Sequence, residues 1–306
     1  MWSLQALFGS PQAKHLVFKG GTSLSKAYNI IRRFSEDVDL TYDIHAIASD
    51  LVNPGDPNPI PPTRSQGNRW TKKIRKRLSK LIETEFVPLL SNAAQRDGLD
   101  VQVGFVEERV SIEYDPLESR PDSVRPAILV DFGARSTGEP TKKIRVSCDI
   151  QAHVAEVAFP RATARVMLPE RTFWEKATAV HVFCAQGKLD GERLSRHWHD
   201  LTRLDRAGVA DRAIADRKLA GEVAIHKNNF FREKDSHGNY IDYCSVVSGS
   251  LVLTPEGQFR ERLAEDYSRM VNDGLLGSDD VEPFDNILGE CKRIEDKANA
   301  VGADDP

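Results

Sequence analysis

Cysteine is scarce in this chain. Four are spread over 306 residues, at Cys148, Cys184, Cys244 and Cys291. None has a neighbour at metal-ligand spacing, which argues against a zinc knuckle or a disulfide scaffold. They read as small buried thiols in a reducing compartment. Long apolar runs are missing as well: none approaches the roughly 20 residues that cross a bilayer. Met1-Trp-Ser-Leu-Gln5 has no basic start leading into an apolar core, so no secretory signal is read. The expected setting is cytoplasmic, without a membrane partner. An excess of positive charge is the third absence. Lys and Arg number 42 against 46 Asp and Glu, a net charge of -4. Any grip on nucleic acid must therefore be local. With 40% hydrophobic and 29% charged residues, the composition is that of a globular protein large enough for two domains.

The chemistry concentrates near the start. His15-Leu-Val-Phe18 reads as a buried strand, and Lys19-Gly-Gly-Thr-Ser23 follows it as a glycine turn. Leu24 to Arg33 has helical spacing through Leu24, Ala27, Ile30 and Ile31. Gly20 and Gly21 allow a tight turn and close backbone approach to a ligand. Thr22 or Ser23 is expected to cap the helix, whose first N–H groups attract phosphate, and Lys19 stands beside the turn. Then comes Ser35-Glu-Asp-Val-Asp39, leading into an alternating strand. Positions i and i+2 of a strand share a face, so Asp37 and Asp39 point to one spot. Paired carboxylates repel unless a hard cation lies between them, and Mg²⁺ (or Mn²⁺) takes oxygen ligands of this kind. Each motif alone is weak; the order strand, turn, helix, carboxylate strand is what fits a triphosphate cradle beside a metal site.

Leu16-Val-Phe-Lys-Gly-Gly-Thr-Ser-Leu-Ser-Lys-Ala-Tyr28 with Arg33-Phe-Ser-Glu-Asp-Val-Asp-Leu40 resembles the first motif of the AbiEii/AbiGii nucleotidyltransferase toxins, in the DNA polymerase beta-like superfamily. Leu168-Pro-Glu-Arg-Thr-Phe-Trp-Glu-Lys176 resembles the lysine motif of that family, and Arg196-His-Trp-His-Asp-Leu201 its last aspartate motif. Glu265-Asp-Tyr-Ser-Arg-Met270 fits its C-terminal helices. The resemblance implies an α+β fold: a mixed nucleotidyltransferase sheet with helices over 1–168, then a mainly helical domain over 169–306 that completes the active site. It implies transfer of a nucleotide from a nucleoside triphosphate to RNA, with the 3′ end of tRNA as the expected acceptor, and a cognate antitoxin in a toxin–antitoxin or phage-defence pair. Relatives carry a further helical segment before the first strand. Only Met1 to Lys14 precede it here, so a shortened start with incomplete packing is expected.

The remaining sites are read within that frame. Two metal ions can stabilise the attacking and leaving oxygens of phosphoryl chemistry. A third carboxylate is usual in the superfamily, and Asp131 in Ile128-Leu-Val-Asp-Phe132 is the candidate, since it interrupts an apolar strand; Asp149 and Glu113 are rivals. Lys176 lies on a helix whose packing face is Phe173, Ala177 and Val180, and is suited to neutralising triphosphate charge. Glu170 or Glu175 is expected to hold it. Asp200 is expected to position Lys176, an arginine or the nucleotide; the bland reading is an i, i+4 pair with Arg196. Histidines 197 and 199 beside it lack the spacing of a zinc site. Ser35 is a candidate regulatory position, where a phosphate would add charge beside the metal ligands.

Arg64 to Lys80 holds eight cations and no acid. On the helix predicted over Trp70 to Leu90, Arg69, Lys72, Lys73 and Lys76 form a candidate RNA-binding face, although such runs are commonly just solvated surface. Asn53 to Pro62 is too proline-rich for helix or inner strand. Strands are expected over Val101–Tyr114, Ala127–Phe132 and Ile144–Ile150. Helices follow from Glu170 to about Ala220, over Gln258–Val271 and near Ile287–Val301, with a disordered tail from Gly302. Two other function classes stay open: a small-molecule nucleotidyltransferase of the antibiotic-modifying type, and a nucleotide-binding regulatory module that never turns over.

Overall fold

A computed structural model describes residues 1–303, apart from 36, 117–125, 155, 189–190 and 192 and the side chains of 152, 302 and 303. The tail from Gly302 thus lies outside the described residues, except for the helical backbone of 302 and 303. The chain divides into two compact units: Met1–Asn29 with Ser35–Leu168, and Ile30–Phe34 with Pro169–Pro306.

The first unit is built on one mixed sheet. Helix α1 (Trp2–Phe8) and a 3-10 turn (Pro11–His15) lead into β1 (Leu16–Lys19), then α2 (Gly20–Lys26), β2 (Asp37–Tyr42) and the short α3 (Ile44–Ile47). Next come α4 (Arg64–Leu81), a π-helical stretch (Ile82–Phe86) and α5 (Val87–Arg96). The hairpin β3 (Val101–Val106) and β4 (Arg109–Tyr114) is followed by β5 (Ala127–Gly133), β6 (Thr141–Ser147) and β7 (Arg161–Met167). The sheet order is β3-β4-β5-β2-β1-β7-β6. The short β1 is buried throughout its apolar part, with Leu16, Val17 and Phe18 all at 0% exposure, as befits a central strand. Helix α1 packs on β7 and α5 through the buried Leu4 and Leu7, so the N-terminal segment is well packed, against the expectation.

Several elements depart from their predicted bounds. Helix α2 begins within the glycines and ends at Lys26 rather than Arg33. Asn29 then adopts a positive φ of 55°, which asparagine tolerates, and Ile30–Phe34 joins the second unit. The helix predicted from Trp70 buries Ile74 and Leu78, with Ile82 just beyond it, but it starts at Arg64, where Thr63 accepts the Gln66 N–H as an N-cap. The expected strand at Ile144–Ile150 is displaced: β6 closes at Ser147, and Asp149 falls in a 3-10 turn. Of the cysteines only Cys291 is buried, while Cys244 is exposed.

The second unit is helical. It comprises α6 (Pro169–Gln186), α7 (Arg196–Arg206), α8 (Val209–Ala215), α9 (Arg217–Phe230), α10 (Tyr243–Val247), α11 (Gly257–Asn272) and α12 (Phe284–Ala303). On α12, Ile287, Cys291, Ile294 and Ala298 are buried at helical spacing, one face of a surface helix. Two indoles tie the core together: Trp174 donates to the Ala213 carbonyl and Trp198 to that of Leu253. Among the described residues, no helix of the chain is long and apolar enough to cross a membrane.

Candidate active site

The first unit gathers the glycine turn and the acids. Strand register places Lys19 opposite Asp39, Asp39 opposite Asp131, and Asp131 opposite Arg109. Residues paired across strands share a face, so Lys19, Asp39, Asp131 and Arg109 form one row, and Asp37 lies on that face two positions along β2. Directly opposed carboxylates on neighbouring strands are unfavourable in an ordinary sheet. Here cations close both ends of the row. Arg109 donates through Nε and Nη2 to both oxygens of Asp131, at 2.5 and 3.0 Å. That bond and the nearby charges of Asp37 and Asp39 push the Arg109 guanidinium up in pKa.

Asp39 also meets the turn. Gly20 has φ +74°, and a Cβ added there would sit 2.2 Å from Asp39 Oδ2. A side chain at position 20 is therefore excluded by the carboxylate itself, so glycine is required for space as well as for conformation. The hydroxyls do not cap α2 as expected; Lys19 is its N-cap residue, with no side-chain cap bond. Thr22 instead donates to the Asp37 carbonyl. Its single proton is thus spent, so the Ser35 hydroxyl donates to Thr22 Oγ1, 2.7 Å away. Ser23 donates to the Gly20 carbonyl at 2.9 Å. These bonds stitch the turn to the start of the carboxylate strand. The rivals of Asp131 lie elsewhere in the unit: Asp149 pairs with Lys26, and Glu113 is exposed on β4 opposite Ala127. Among the described residues no three His, Cys, Asp or Glu side chains stand close enough together to form a ready metal cluster.

The second unit holds Lys176 and Asp200. Lys176 Nζ lies 2.8 Å from Asp200 Oδ2, and the Asp200 side chain is fully buried. Arg33 meets the same carboxylate two-pronged, Nε to Oδ1 at 2.9 Å and Nη2 to Oδ2 at 3.0 Å. Burial alone would push the Asp200 carboxyl up; the Arg33 and Lys176 charges outweigh it and hold the group well below the usual carboxylate range. His199 Nε2 accepts from Arg203, which leaves Nδ1 to carry the ring proton, 3.6 Å from Asp200 Oδ1 and too long for a direct bond. The holders predicted for Lys176 are engaged with other cations: Glu170 pairs with Arg212 and Glu175 with Arg171.

The family of nucleotidyl transferase AbiEii toxins of type IV toxin–antitoxin systems matches residues 2–290. The chain belongs to this family. As an AbiEii protein it is a nucleotidyltransferase toxin, and the family implies a nucleoside triphosphate substrate and an antitoxin partner. No curated protein matches it in sequence. Among solved structures, it is similar to MenT4, the nucleotidyltransferase toxin Rv2826c of Mycobacterium tuberculosis H37Rv, at 17% identity and a TM-score of 0.38, over 98% of this chain and 90% of that one.

Two residues at these candidate sites escaped the sequence reading. Arg109 carries no local signal, because only strand register reveals its partner. Arg33 sits beside the motif Ser35–Asp39, yet its partner is 167 positions away. On α4, Arg69, Lys72, Lys73, Lys76 and Lys80 are exposed and fall at helical spacing on one face. Among the described residues none of the five makes an ion pair. The flanking Arg75 and Arg77 are tied to Glu107, Glu108 and Asp50.

Proposed function

We propose that this AbiEii protein transfers a nucleotide from a nucleoside triphosphate to an RNA acceptor, with the tRNA 3′ end as the expected target, and that this arrests growth in phage defence until an antitoxin intervenes. The supporting observation is the seating of the Asp39 carboxylate against the glycine turn, where Gly20 alone leaves room for it. A turn that would bind phosphate and two carboxylates that would hold a cation thus adjoin within one unit.

Asp37 and Asp39 are the residues that would hold Mg²⁺ or Mn²⁺. Two carboxylates completed by substrate phosphates are a common Mg²⁺ arrangement, and the absence of a three-residue cluster among the described residues is compatible with it. Bound there, the ion would supply charge stabilisation for the attacking and leaving oxygens. Backbone N–H groups of Gly20 and Gly21 would bind phosphate oxygens, with Lys19 adding a cation and Thr22 fixing the turn to β2. Asp131 is next in the row and would serve as a further ligand only once freed from Arg109. Lys176, held by Asp200, would neutralise triphosphate charge. The stripe Arg69, Lys72, Lys73, Lys76 would track an RNA backbone. A phosphate on Ser35 would break its bond to Thr22 and place negative charge beside the acids.

The test is to incubate the protein with each labelled triphosphate, Mg²⁺ and total RNA. RNA labelling that Asp39→Ala abolishes is expected. Labelling confined to small acceptors would favour the antibiotic-type enzyme, and nucleotide binding without transfer a regulatory module. Growth arrest on expression, lost in Asp39→Ala, tests the toxic role separately.

A further inference from the structure

The segment Ile30–Phe34 is short, irregular and tightly held within the second unit. The Phe34 N–H donates to the Leu275 carbonyl at 2.8 Å, and the Gly277 N–H to the Arg32 carbonyl at 2.9 Å. Arg33 forms an isolated bridge with Leu276 between these bonds. The backbone on both sides of Arg33 is therefore fixed before its side chain makes any contact. The side chain is itself only 6% exposed and ends on the fully buried Asp200.

That arrangement divides one negative charge between two cations. A carboxylate offers about four lone-pair sites. Arg33 takes one on each oxygen, and Lys176 approaches Oδ2. A planar two-pronged bond fixes the carboxylate in rotation, which a point-charge ammonium cannot do. Among the described residues Lys176 has Asp200 as its ionic partner. With that charge already shared, the ammonium is held in place but is incompletely neutralised.

We infer that Arg33 is a positioning residue for the transfer reaction, acting through Asp200 to fix the Lys176 ammonium and keep its charge available for triphosphate. This rests on the proposed role of Lys176. It differs from a merely structural salt bridge in what its loss does. Without Arg33, Asp200 keeps Lys176 as its counter-ion, so the two neutralise each other and the carboxylate becomes easier to protonate. The groups facing Asp200 are then Lys176 from α6 and His197 and His199 from α7. His197 stays neutral, since burial and the neighbouring Lys176 and Arg196 charges push its pKa well below the ordinary value.

The experiment measures kcat and KM for the triphosphate from pH 5 to 8 in the wild type, Arg33→Ala, Arg33→Lys and Lys176→Ala. Arg33→Ala is expected to lose about 10- to 100-fold in kcat/KM, the scale of a misplaced catalytic group. Asp200 is ionised throughout that pH range in the wild type; in Arg33→Ala, where the Lys176 charge alone opposes burial, its protonation should bring an acid limb into the range, above any the wild type shows. Millimolar guanidinium should restore part of the loss, and Arg33→Lys should fall between wild type and alanine. If Lys176→Ala is inactive while Arg33→Ala and Arg33→Lys keep the wild-type acid limb and kcat/KM, the inference is overturned. A loss in Arg33→Ala with no new acid limb and no guanidinium response overturns it too, leaving a structural bridge. Should Arg33→Ala fail to fold, Arg33→Lys decides by the same two readouts. If Lys176→Ala retains full activity, the reading of Lys176 has failed instead.

Discussion

Replacing Gly20 by alanine separates conformation from chemistry. At φ +74° the left-handed backbone costs a non-glycine residue about 1–2 kcal/mol. The new Cβ would also lie 2.2 Å from Asp39 Oδ2 and 2.8 Å from its Cγ. Those atoms end a rotatable side chain, so the carboxylate must swing away, and the Asp39 Cβ, 3.0 Å off, must give slightly as well. Gly98 is the control. Its φ is +68°, and a Cβ there meets nothing within 4 Å, so Gly98→Ala carries the conformational cost alone. Urea denaturation should therefore show similar losses for both variants, within about 1 kcal/mol of each other, the scatter expected of mutations acting through backbone strain. Nucleotide transfer should not be similar. A displacement of about 1 Å can cost roughly 100-fold, or about 2.7 kcal/mol of transition-state stabilisation, in Gly20→Ala, with kcat/KM unchanged in Gly98→Ala. If Gly20→Ala transfers nucleotide as well as Gly98→Ala, the Asp39 carboxylate has no duty at the turn, and the site assignment fails with it.

Other perturbations probe the second unit and the basic helix. His181 Nδ1 accepts the Val252 N–H at 3.0 Å, and burial lowers the pKa of both His181 and His197. The unfolded chain takes up these protons first, below about pH 6.5, so stability should fall as pH drops from there, by at most about 1.4 kcal/mol per pH unit for each group. Denaturation at pH 7.5 and 5.5 should show the slope, flattened in His181→Gln and in His197→Gln; an unflattened slope in both would exclude them as its source. Changing Lys72, Lys73 and Lys76 together to Gln should weaken RNA binding and reduce the log–log salt slope by about 2, at roughly 0.7 for each phosphate contact on a single strand. Binding isotherms at several salt concentrations check this, and an unaltered slope would place the RNA elsewhere.

The centre of the sheet was readable because its strands obey simple rules: an apolar run for β1 and strict alternation for β2, with acids two apart. Strand β7 was missed because Arg161–Met167 buries small residues, Ala162 and Ala164, which give little hydrophobic signal between charged neighbours. The end of α2 was misjudged for a different reason. Leu24, Ala27, Ile30 and Ile31 do have helical spacing, but pairing of Arg32 and Phe34 with Leu275 and Gly277 outweighs local propensity, which is only a weak prior. The same non-locality bears on Lys176. Of its two expected holders on the same helix, Glu170 and Glu175, neither meets it, whereas Asp200, read from its own motif as a positioner of Lys176 or an arginine, pairs with both Lys176 and Arg33, the former 24 positions away. The motifs thus name chemically capable residues, and long-range packing decides which of them meet.

The role of Asp131 turns on that same point. Register sets it beside Asp39, as a further metal ligand requires, yet its side chain is bound by Arg109. A guanidinium bound to a ligand carboxylate competes with any cation for it, and the Asp37 and Asp39 charges reinforce its hold. The pair is partly exposed, with side chains at 53% and 31%, so its strength belongs to the surface range of about 0.2–1 kcal/mol. Arg109→Gln should then lower the Mg²⁺ concentration for half-maximal transfer by about 1.4- to 5-fold, that energy expressed as a ratio. Asp131→Asn should raise it. The measurement is a Mg²⁺ titration of initial rates at saturating triphosphate. Unchanged half-saturation in both variants would mean that Asp131 serves only to close the row of charges at the sheet's edge, and that Asp37 and Asp39 meet the metal without it.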